Sequence, residues 1–394
     1  MSDAGGKRYL PAADVLRVFS VGLVAWFHIW QQSWLDPGFF LWGVRFDLQR
    51  IVRRGYMAVD LMLLLSGFLL YLPAARAARR GEPAADAGDF YLRRARRILP
   101  SYLAAVAIAL LFALQEGRGG AALVKDLLAH LTFTHTFWPE TYMWTSLNVV
   151  LWTLAVEVQF YLIFPLLSRS FRRAPWLTFS LMAAAGLLSR WVITPRAEVG
   201  MLFNQLPCML DLYALGMLSA HLLAMTEGRR GSVLAALGSL LCLGGILWVL
   251  WIQAPADNRD LNQWQMNWRF PLGALGAAFL WCGGHWPARL NAAAGNPLTR
   301  FLSGISYNFY IWHQYLAVKL KAWHIPPYVS QMPQMTEGTA WKRAYTAACL
   351  AAALGAAVLF TYGVERPAAR LGFWRQRGNK NTESAGETAG KEQL

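Results

Sequence analysis

The chain has 394 residues, of which 56% are hydrophobic and only 15% are charged. Its apolar residues fall in repeated runs of about 20, the length that crosses the hydrocarbon core of a bilayer. This pattern excludes an ordinary soluble multidomain protein and predicts one all-α, polytopic membrane domain. The net charge of +15 does not indicate a nucleic-acid partner, because the arginines concentrate in short segments between the apolar runs.

The first apolar run does not have the features of a signal peptide, and the cysteines do not indicate a metal or redox site. The run is not a cleavable signal peptide, because it carries Asp14, Arg17 and His28 and has no small-residue cleavage site after it. The four cysteines are scattered inside or beside apolar runs with no spacing typical of a metal or redox site, so we interpret them as packing residues. They are Cys208, Cys242, Cys282 and Cys349.

The apolar runs predict ten membrane-spanning helices. The predicted spans are residues 13–33, 57–73, 99–116, 147–167, 175–194, 205–225, 232–253, 270–285, 300–321 and 343–364. Segment 121–138 is apolar enough for a further span, but Lys125, Asp126 and His130 favour an amphipathic or re-entrant segment.

Basic residues predict the orientation of the bundle. With ten spans, most arginine clusters fall on the same side as the N-terminus, so we expect both termini to be cytoplasmic. Segment 34–56 is the exception and is predicted to form an amphipathic helix on the outer surface. Its arginines are Arg45, Arg50, Arg53 and Arg54. We expect residues 1–367 to form the membrane domain and residues 368–394 to form a short cytoplasmic tail without stable structure.

Arg17 and His28 lie in the first predicted span with ten residues between them. Eleven steps of about 100° leave them on nearly the same helix face, roughly 16 Å apart along the axis. Ionisable groups at membrane depth are costly and usually functional. His28 is a candidate general base, because imidazole titrates near neutral pH. The alternative is a packing histidine that is hydrogen-bonded across the bundle.

Glu157 lies well inside the fourth predicted span. A carboxylate at that depth must be protonated, paired or placed in a wet cavity. One interpretation is a partner that orients His28 and stabilises its imidazolium form, as in a catalytic dyad. The other is an ion pair with a lysine or arginine from another helix.

Asp60 lies near the outer end of the second predicted span. It is a candidate for binding the hydroxyl of an acceptor, and a pair with Arg53 or Arg54 is the alternative. Further along the same span, Ser66 is assigned to helix packing or ligand contact, and Gly67 would permit the close approach of another helix.

Four arginines within five residues enter the third predicted span: Arg93, Arg94, Arg96 and Arg97. Guanidinium groups bind phosphate in a bidentate manner, so this run is a candidate phosphate site. The alternative is a set of juxtamembrane arginines that fix topology and contact anionic lipid.

Tyr307, Tyr310 and His313 recur at i, i+3 and i+6 on the ninth predicted span, which places them broadly on one side of the helix. An interfacial aromatic belt with a hydrogen-bonded histidine is the alternative to a ligand-binding role.

Six short motifs, taken in order, resemble those of the acyltransferase family 3 membrane proteins, which are O-acyltransferases. The resemblance covers about residues 9–367. The matching positions are Arg17 and His28; Gly55 to Asp60 with Leu65 to Phe68; Arg94, Arg97, Ile98 and Pro100; Trp152, Leu154, Glu157, Phe160, Tyr161 and Pro165; Ser306, Tyr307, Tyr310 and His313; and Glu365 and Pro367. The chain departs from the pattern at Thr153, where serine is common.

The resemblance implies an acyl-CoA donor, most often acetyl-CoA, and a hydroxyl acceptor on a carbohydrate or glycolipid at the outer face of a bacterial inner membrane. No metal is expected, and neither is the secreted hydrolase-like domain that some relatives carry. The implied catalytic residues are His28 and Glu157. The implied CoA-binding residues are Arg17, Arg93, Arg94 and Arg97. The expected acceptor-binding residues are Asp60, Trp152, Tyr307 and His313.

A transporter or flippase is the alternative from another functional class, with His28 and Glu157 as a proton relay. The chain shows no inverted repeat or broken-helix pattern of the kind that marks many transporters. The arginine-rich entry to the third span also favours the enzyme.

Overall fold

The computed structural model describes residues 9–194, 199–228, 231–252 and 258–370. Within these ranges the chain is almost entirely helical. The α-helices are α1 (Pro11–Ser33), α2 (Gln49–Arg53), α3 (Ala58–Arg79), α4 (Ala87–Gln115), α5 (Gly120–Leu131), α6 (Pro139–Tyr142), α7 (Trp152–Arg173), α8 (Pro175–Ile193), α9 (Val199–Leu202), α10 (Leu210–Thr226), α11 (Val233–Ile252), α12 (Asn258–Gly283), α13 (Ala288–Ala294), α14 (Pro297–Ala322), α15 (Pro333–Thr336), α16 (Thr339–Phe360) and α17 (Arg366–Arg370).

Eight helical stretches in the described part of the chain are long and apolar enough to cross a membrane. Each of them contains or largely overlaps one of the predicted spans, so the prediction of a helical membrane bundle is confirmed. The stretches are Pro11–Ser33, Gly55–Arg79, Ala87–Gln115, Val149–Arg173, Pro175–Ile193, Leu206–Thr226, Val233–Ile252 and Thr339–Arg370.

Of the other two predicted spans, residues 300–321 lie within α14 and residues 270–285 overlap α12 as far as Gly283, and each of these helices has 26 residues. A helix of that length extends about 39 Å, which exceeds the thickness of the hydrocarbon core. Helix α14 is more polar than the eight stretches because much of its surface faces protein rather than lipid. Its Asn308 and His313 side chains are fully buried, and it packs against α1 and α16.

The prediction of an amphipathic surface helix within segment 34–56 is largely wrong. Residues Phe39–Leu41 (β1) and Val44–Phe46 (β2) form an antiparallel hairpin, and only Gln49–Arg53 is α-helical. The reason is local: aromatic and branched residues flank Trp42 and Gly43, both of which have positive φ angles. A two-residue turn with positive φ matches the twist of a hairpin.

Two further segments were predicted not to span the membrane. Helix α5, in segment 121–138, has 12 residues, about 18 Å, which is too short to cross a bilayer. In the predicted tail, residues 368–370 belong to α17, and residues 371–394 lie outside the described residues.

Helices α3 and α10 cross at the centre of the bundle with their backbones in contact. A Cβ atom on Gly67 would overlap the carbonyl oxygen of Tyr213, and one on Gly216 would overlap the carbonyl oxygen of Leu64. Small residues allow such close packing in membranes, where dispersion contacts replace the hydrophobic effect as the driving force for association. The predicted close approach at Gly67 is thereby confirmed.

We expect Gly67→Ala to destabilise the protein by about 1–3 kcal/mol, because the new methyl group must push α3 and α10 apart. The measurement is the midpoint of thermal unfolding in detergent. Gly22→Ala is the matched control, because Gly22 is also in a spanning helix and a Cβ atom there meets nothing within 4 Å. Equal midpoints for the two variants would contradict the role of this crossing.

Candidate active site

His28 of α1 meets His313 of α14 in the interior of the bundle. The Nδ1 atom of His28 lies 2.8 Å from the Nε2 atom of His313, and the Nδ1 atom of His313 lies 2.6 Å from the carbonyl oxygen of Tyr310. Because a carbonyl oxygen only accepts, His313 carries its proton on Nδ1 when neutral, and its Nε2 atom accepts. This network assigns the proton of neutral His28 to Nδ1 and leaves a lone pair on its Nε2 atom.

A cavity of about 320 Å³ lies beside His28 and is lined also by Asp60, Trp152, Asn204 and Arg269. We call it the histidine cavity. Among the described residues, none forms a hydrogen bond with the Nε2 atom of His28, so this nitrogen is available to a ligand. Two predicted acceptor-binding residues, Asp60 and Trp152, therefore line the same cavity as the predicted base.

Asp60 is paired with Arg269, and not with Arg53 or Arg54. Its carboxylate accepts a hydrogen bond of 3.0 Å from the Nε atom of Arg269, and both side chains are almost completely buried. The alternative partners considered from the sequence were therefore wrong. Arg269 also donates to the carbonyl oxygen of Phe203, which fixes the guanidinium at the wall of the histidine cavity.

A second cavity, of about 110 Å³, is lined by Arg17, Arg97, Glu157 and Tyr307. We call it the arginine–glutamate cavity. It brings together residues from α1, α4, α7 and α14, which are far apart in the sequence. Tyr307, which was predicted to bind the acceptor, lies here and not in the histidine cavity.

Glu157 does not contact His28. Its carboxylate accepts hydrogen bonds from the hydroxyl groups of Ser66 and Tyr161, while the ring partner of His28 is His313. The predicted contact between Glu157 and His28 is thus replaced by a pair of histidines. The alternative ion pair is also not formed, because no described lysine or arginine lies within 4 Å of the Glu157 carboxylate.

The two cavities are neighbours. Val59 and Tyr310 line both of them, so these two side chains form the wall between the cavities. Arg17 lines one cavity and His28 lines the other, about 16 Å farther along α1. Together the two cavities lie along α1 from Arg17 to His28.

Arg93 and Arg94 line a third and larger cavity of about 500 Å³, which also includes Arg169 and Arg172. We call it the arginine-rich pocket. Arg94 lies near the rings of Phe90 and Tyr161, and its buried Nε atom has no hydrogen-bond partner among the described residues. The predicted arginine run is thus divided, with Arg97 facing the arginine–glutamate cavity one turn farther along α4.

A second buried ion pair and the pairing of Arg269 with Asp60 were not predicted from the sequence. Arg190 and Asp211 are fully buried, with 2.6 Å between Nη2 and Oδ2, and Arg190 also donates to the carbonyl oxygen of Cys208. The available signal was one charge of each sign inside two predicted spans, since such charges normally pair. Within the described ranges, no group of three His, Cys, Asp or Glu side chains is placed to hold a metal ion.

The model of the acyltransferase domain of acyltransferase family 3 matches residues 10–362. The chain belongs to this family. This assignment agrees with the resemblance found in the six motifs. Since the chain also forms a bundle of membrane-spanning helices, it is a multi-pass membrane O-acyltransferase. The assignment favours the enzyme over the transporter considered from the sequence.

Relatives of the chain carry related names. ORF330 of Acidianus two-tailed virus, whose name describes it as an acetyltransferase, is 26% identical over 78% of this chain and 83% of its own length. The O-acetyltransferase OatA of Staphylococcus aureus is 28% identical over 40% of this chain and 24% of its own length. The acyltransferase MdmB of Streptomyces mycarofaciens is 32% identical over 42% of this chain and 41% of its own length. The chain therefore spans less than half of the latter two relatives. No solved structure matches the chain.

The two buried ion pairs differ in their position relative to the site, and this difference can be tested. Arg269→Met should cost about 3–5 kcal/mol because it leaves Asp60 buried without a partner. The double replacement Asp60→Leu with Arg269→Met should recover much of the thermal stability but little activity, because both residues line the histidine cavity.

The matched control is the pair Arg190 and Asp211, which lines none of the three cavities. Its double replacement with leucine and methionine should recover both stability and activity. Unfolding midpoints in detergent and transfer rates are measured on all variants. Full activity of the Asp60 and Arg269 double variant would contradict a role for this pair at the site.

Proposed function

We propose that the protein transfers an acyl group, most often acetyl, from cytoplasmic acyl-CoA to a hydroxyl of a carbohydrate or glycolipid at the outer face of the membrane. The observation that carries the proposal is the hydrogen bond between His28 and His313. It supports a neutral His28 whose Nε2 atom is free to act as a general base in the histidine cavity.

The proposed reaction is a direct transfer. The Nε2 atom of His28 accepts the proton of the acceptor hydroxyl while the oxygen attacks the thioester carbonyl. The C–S bond then breaks, and the leaving thiolate takes up the proton from His28. During the reaction, the imidazolium of His28 donates through Nδ1 to the Nε2 atom of His313, which stabilises the charge. His313 thus acts as a positioning residue.

The donor would enter from the end of the bundle that carries the N-terminus of α1. The arginine-rich pocket and the arginine–glutamate cavity both lie at this end. Phosphate groups of CoA match the guanidinium groups of Arg93 and Arg94, which share that pocket. The thin pantetheine arm would pass Arg17 and Arg97 and reach the wall formed by Val59 and Tyr310. Positive charge at this end supports a cytoplasmic orientation.

Glu157 takes a different role in this proposal from the one inferred from the sequence. Its carboxylate binds the hydroxyl groups of Ser66 and Tyr161 on the donor side of the wall. There it would hold the cavity open and offset the charges of Arg17 and Arg97. We therefore expect Glu157 to affect binding of the donor more than proton transfer at His28.

Replacement of the two histidines tests the proposed base. His28→Ala should lower the rate of acyl transfer by about 10²–10⁴-fold, because the general base is removed. His313→Phe should lower kcat by more than about tenfold and change the pH at which kcat/KM is half-maximal, because the proton of His28 is no longer fixed on Nδ1. Acetyl-CoA and a mixture of bacterial cell-surface glycans serve as substrates, and CoA affinity is measured on each variant.

Glu157→Gln is the comparison in that experiment. It should raise the KM for acetyl-CoA and leave the pH profile near that of wild type. A changed pH profile in Glu157→Gln, with an unchanged profile in His313→Phe, would assign the partner role to Glu157 after all. Absence of CoA binding by folded wild-type protein would refute the acyl-CoA donor.

Arg97→Gln tests the donor path. Removal of the Arg97 guanidinium should raise the KM for acetyl-CoA by about tenfold, because one charge-assisted hydrogen bond is lost. The KM for the acceptor should change little. Arg173→Gln is the matched control, because Arg173 ends α7 and lines none of the described cavities. Equal effects of the two substitutions would mean that only the overall charge of this end matters.

A further inference from the structure

A fourth cavity, of about 380 Å³, lies at the C-terminal end of α1 and is lined by Trp30, Trp34, Asp36, Arg45, Gln49, Arg53 and Lys342. We call it the tryptophan groove. It is formed by α1, the hairpin, α2 and the start of α16, and none of these side chains belongs to the three cavities described above. It lies at the same end of α1 as His28, with Trp30 two residues beyond the proposed base.

The groove carries an excess of positive charge. Of its three cations, only Arg45 has an acidic partner, with 2.7 Å between its Nη2 atom and Oδ2 of Asp36. Neither the guanidinium of Arg53 nor the ammonium group of Lys342 forms a hydrogen bond or ion pair with any described residue. A net positive groove at this end is unexpected from topology, because arginines normally collect at the cytoplasmic end of a bundle. Binding of an anion would account for it.

Two tryptophans provide flat surfaces beside these cations. Trp34 is 46% exposed and ends α1 in a left-handed conformation, with its backbone N–H donating to the carbonyl oxygen of Trp30. The guanidinium of Arg53 lies 5.5 Å from the ring centre of Trp30, so an aromatic ring and a cation without an acidic partner lie side by side in the groove.

We infer that the tryptophan groove binds the acceptor and selects a saccharide that carries a carboxylate or phosphate group. The apolar face of a sugar ring would pack on the tryptophans, and its anionic group would bind Arg53 and Lys342. The hydroxyl to be acylated would then extend toward His28. This inference rests on the proposed function, because it names the acceptor class of the same reaction.

The test compares digalacturonate with maltose, two disaccharides that differ in charge. Calorimetry measures their binding to the full chain in phosphatidylcholine nanodiscs. Digalacturonate should bind at least about tenfold more tightly than maltose, and Arg53→Gln should remove most of this preference. Arg50→Gln is the matched control: Arg50 lies on the same short helix, but its guanidinium stacks on Trp251 and does not line the groove.

Equal affinities for the two disaccharides, or equal effects of Arg53→Gln and Arg50→Gln, would overturn the inference. So would loss of digalacturonate binding when the nanodiscs also contain phosphatidylglycerol, since lipid headgroups would then occupy the groove. Binding is measured without turnover, so its outcome is independent of the proposed reaction. Transfer from acetyl-CoA that depends on His28 but shows no preference for the anionic sugar would refute the groove alone.

Discussion

Helices α3 and α10 cross with backbone against backbone at Gly67 and Gly216, where neither helix has room for a Cβ atom. Lipid surrounds the bundle, so such close packing supplies association energy that burial of apolar surface cannot. The crossing holds α3 at the centre of the protein. Because Val59 of α3 lines both the histidine cavity and the arginine–glutamate cavity, any displacement of this helix would change the two cavities together.

The charges inside the bundle fall into two groups. In the first, Asp60 pairs with Arg269 and Asp211 with Arg190, and each arginine also donates to a backbone carbonyl oxygen. In the second, Glu157 lies in a cavity with arginines but forms no ion pair within the described residues. Since an uncompensated charge at membrane depth is costly, the first group is explained by its own ion pairs, whereas Glu157 relies on the hydroxyl groups of Ser66 and Tyr161 and on the nearby cations Arg17 and Arg97.

The sequence was sufficient to predict the long membrane-spanning helices but not which of them are neighbours. Apolar runs gave the spans, and helical periodicity gave the shared face of Arg17 and His28 because both lie on one helix. Periodicity does not say which helices pack together, so it could not show that His313, 285 residues away, is the partner of His28 and that Glu157 is not. The hairpin after α1 was missed because its two strands are only three residues long.

The pairing of His28 with a second imidazole has a physical advantage over pairing with a carboxylate. A carboxylate in the place of His313 would be a permanent charge buried in the bundle, and it would have to lose its hydration. Two neutral rings carry no net charge before the proposed proton transfer. In that proposal the cost of charge separation falls in the reacting state, where the hydrogen bond to His313 would stabilise the imidazolium of His28. Glu157 instead faces the cavity of Arg17 and Arg97, where a negative charge is offset by neighbouring cations.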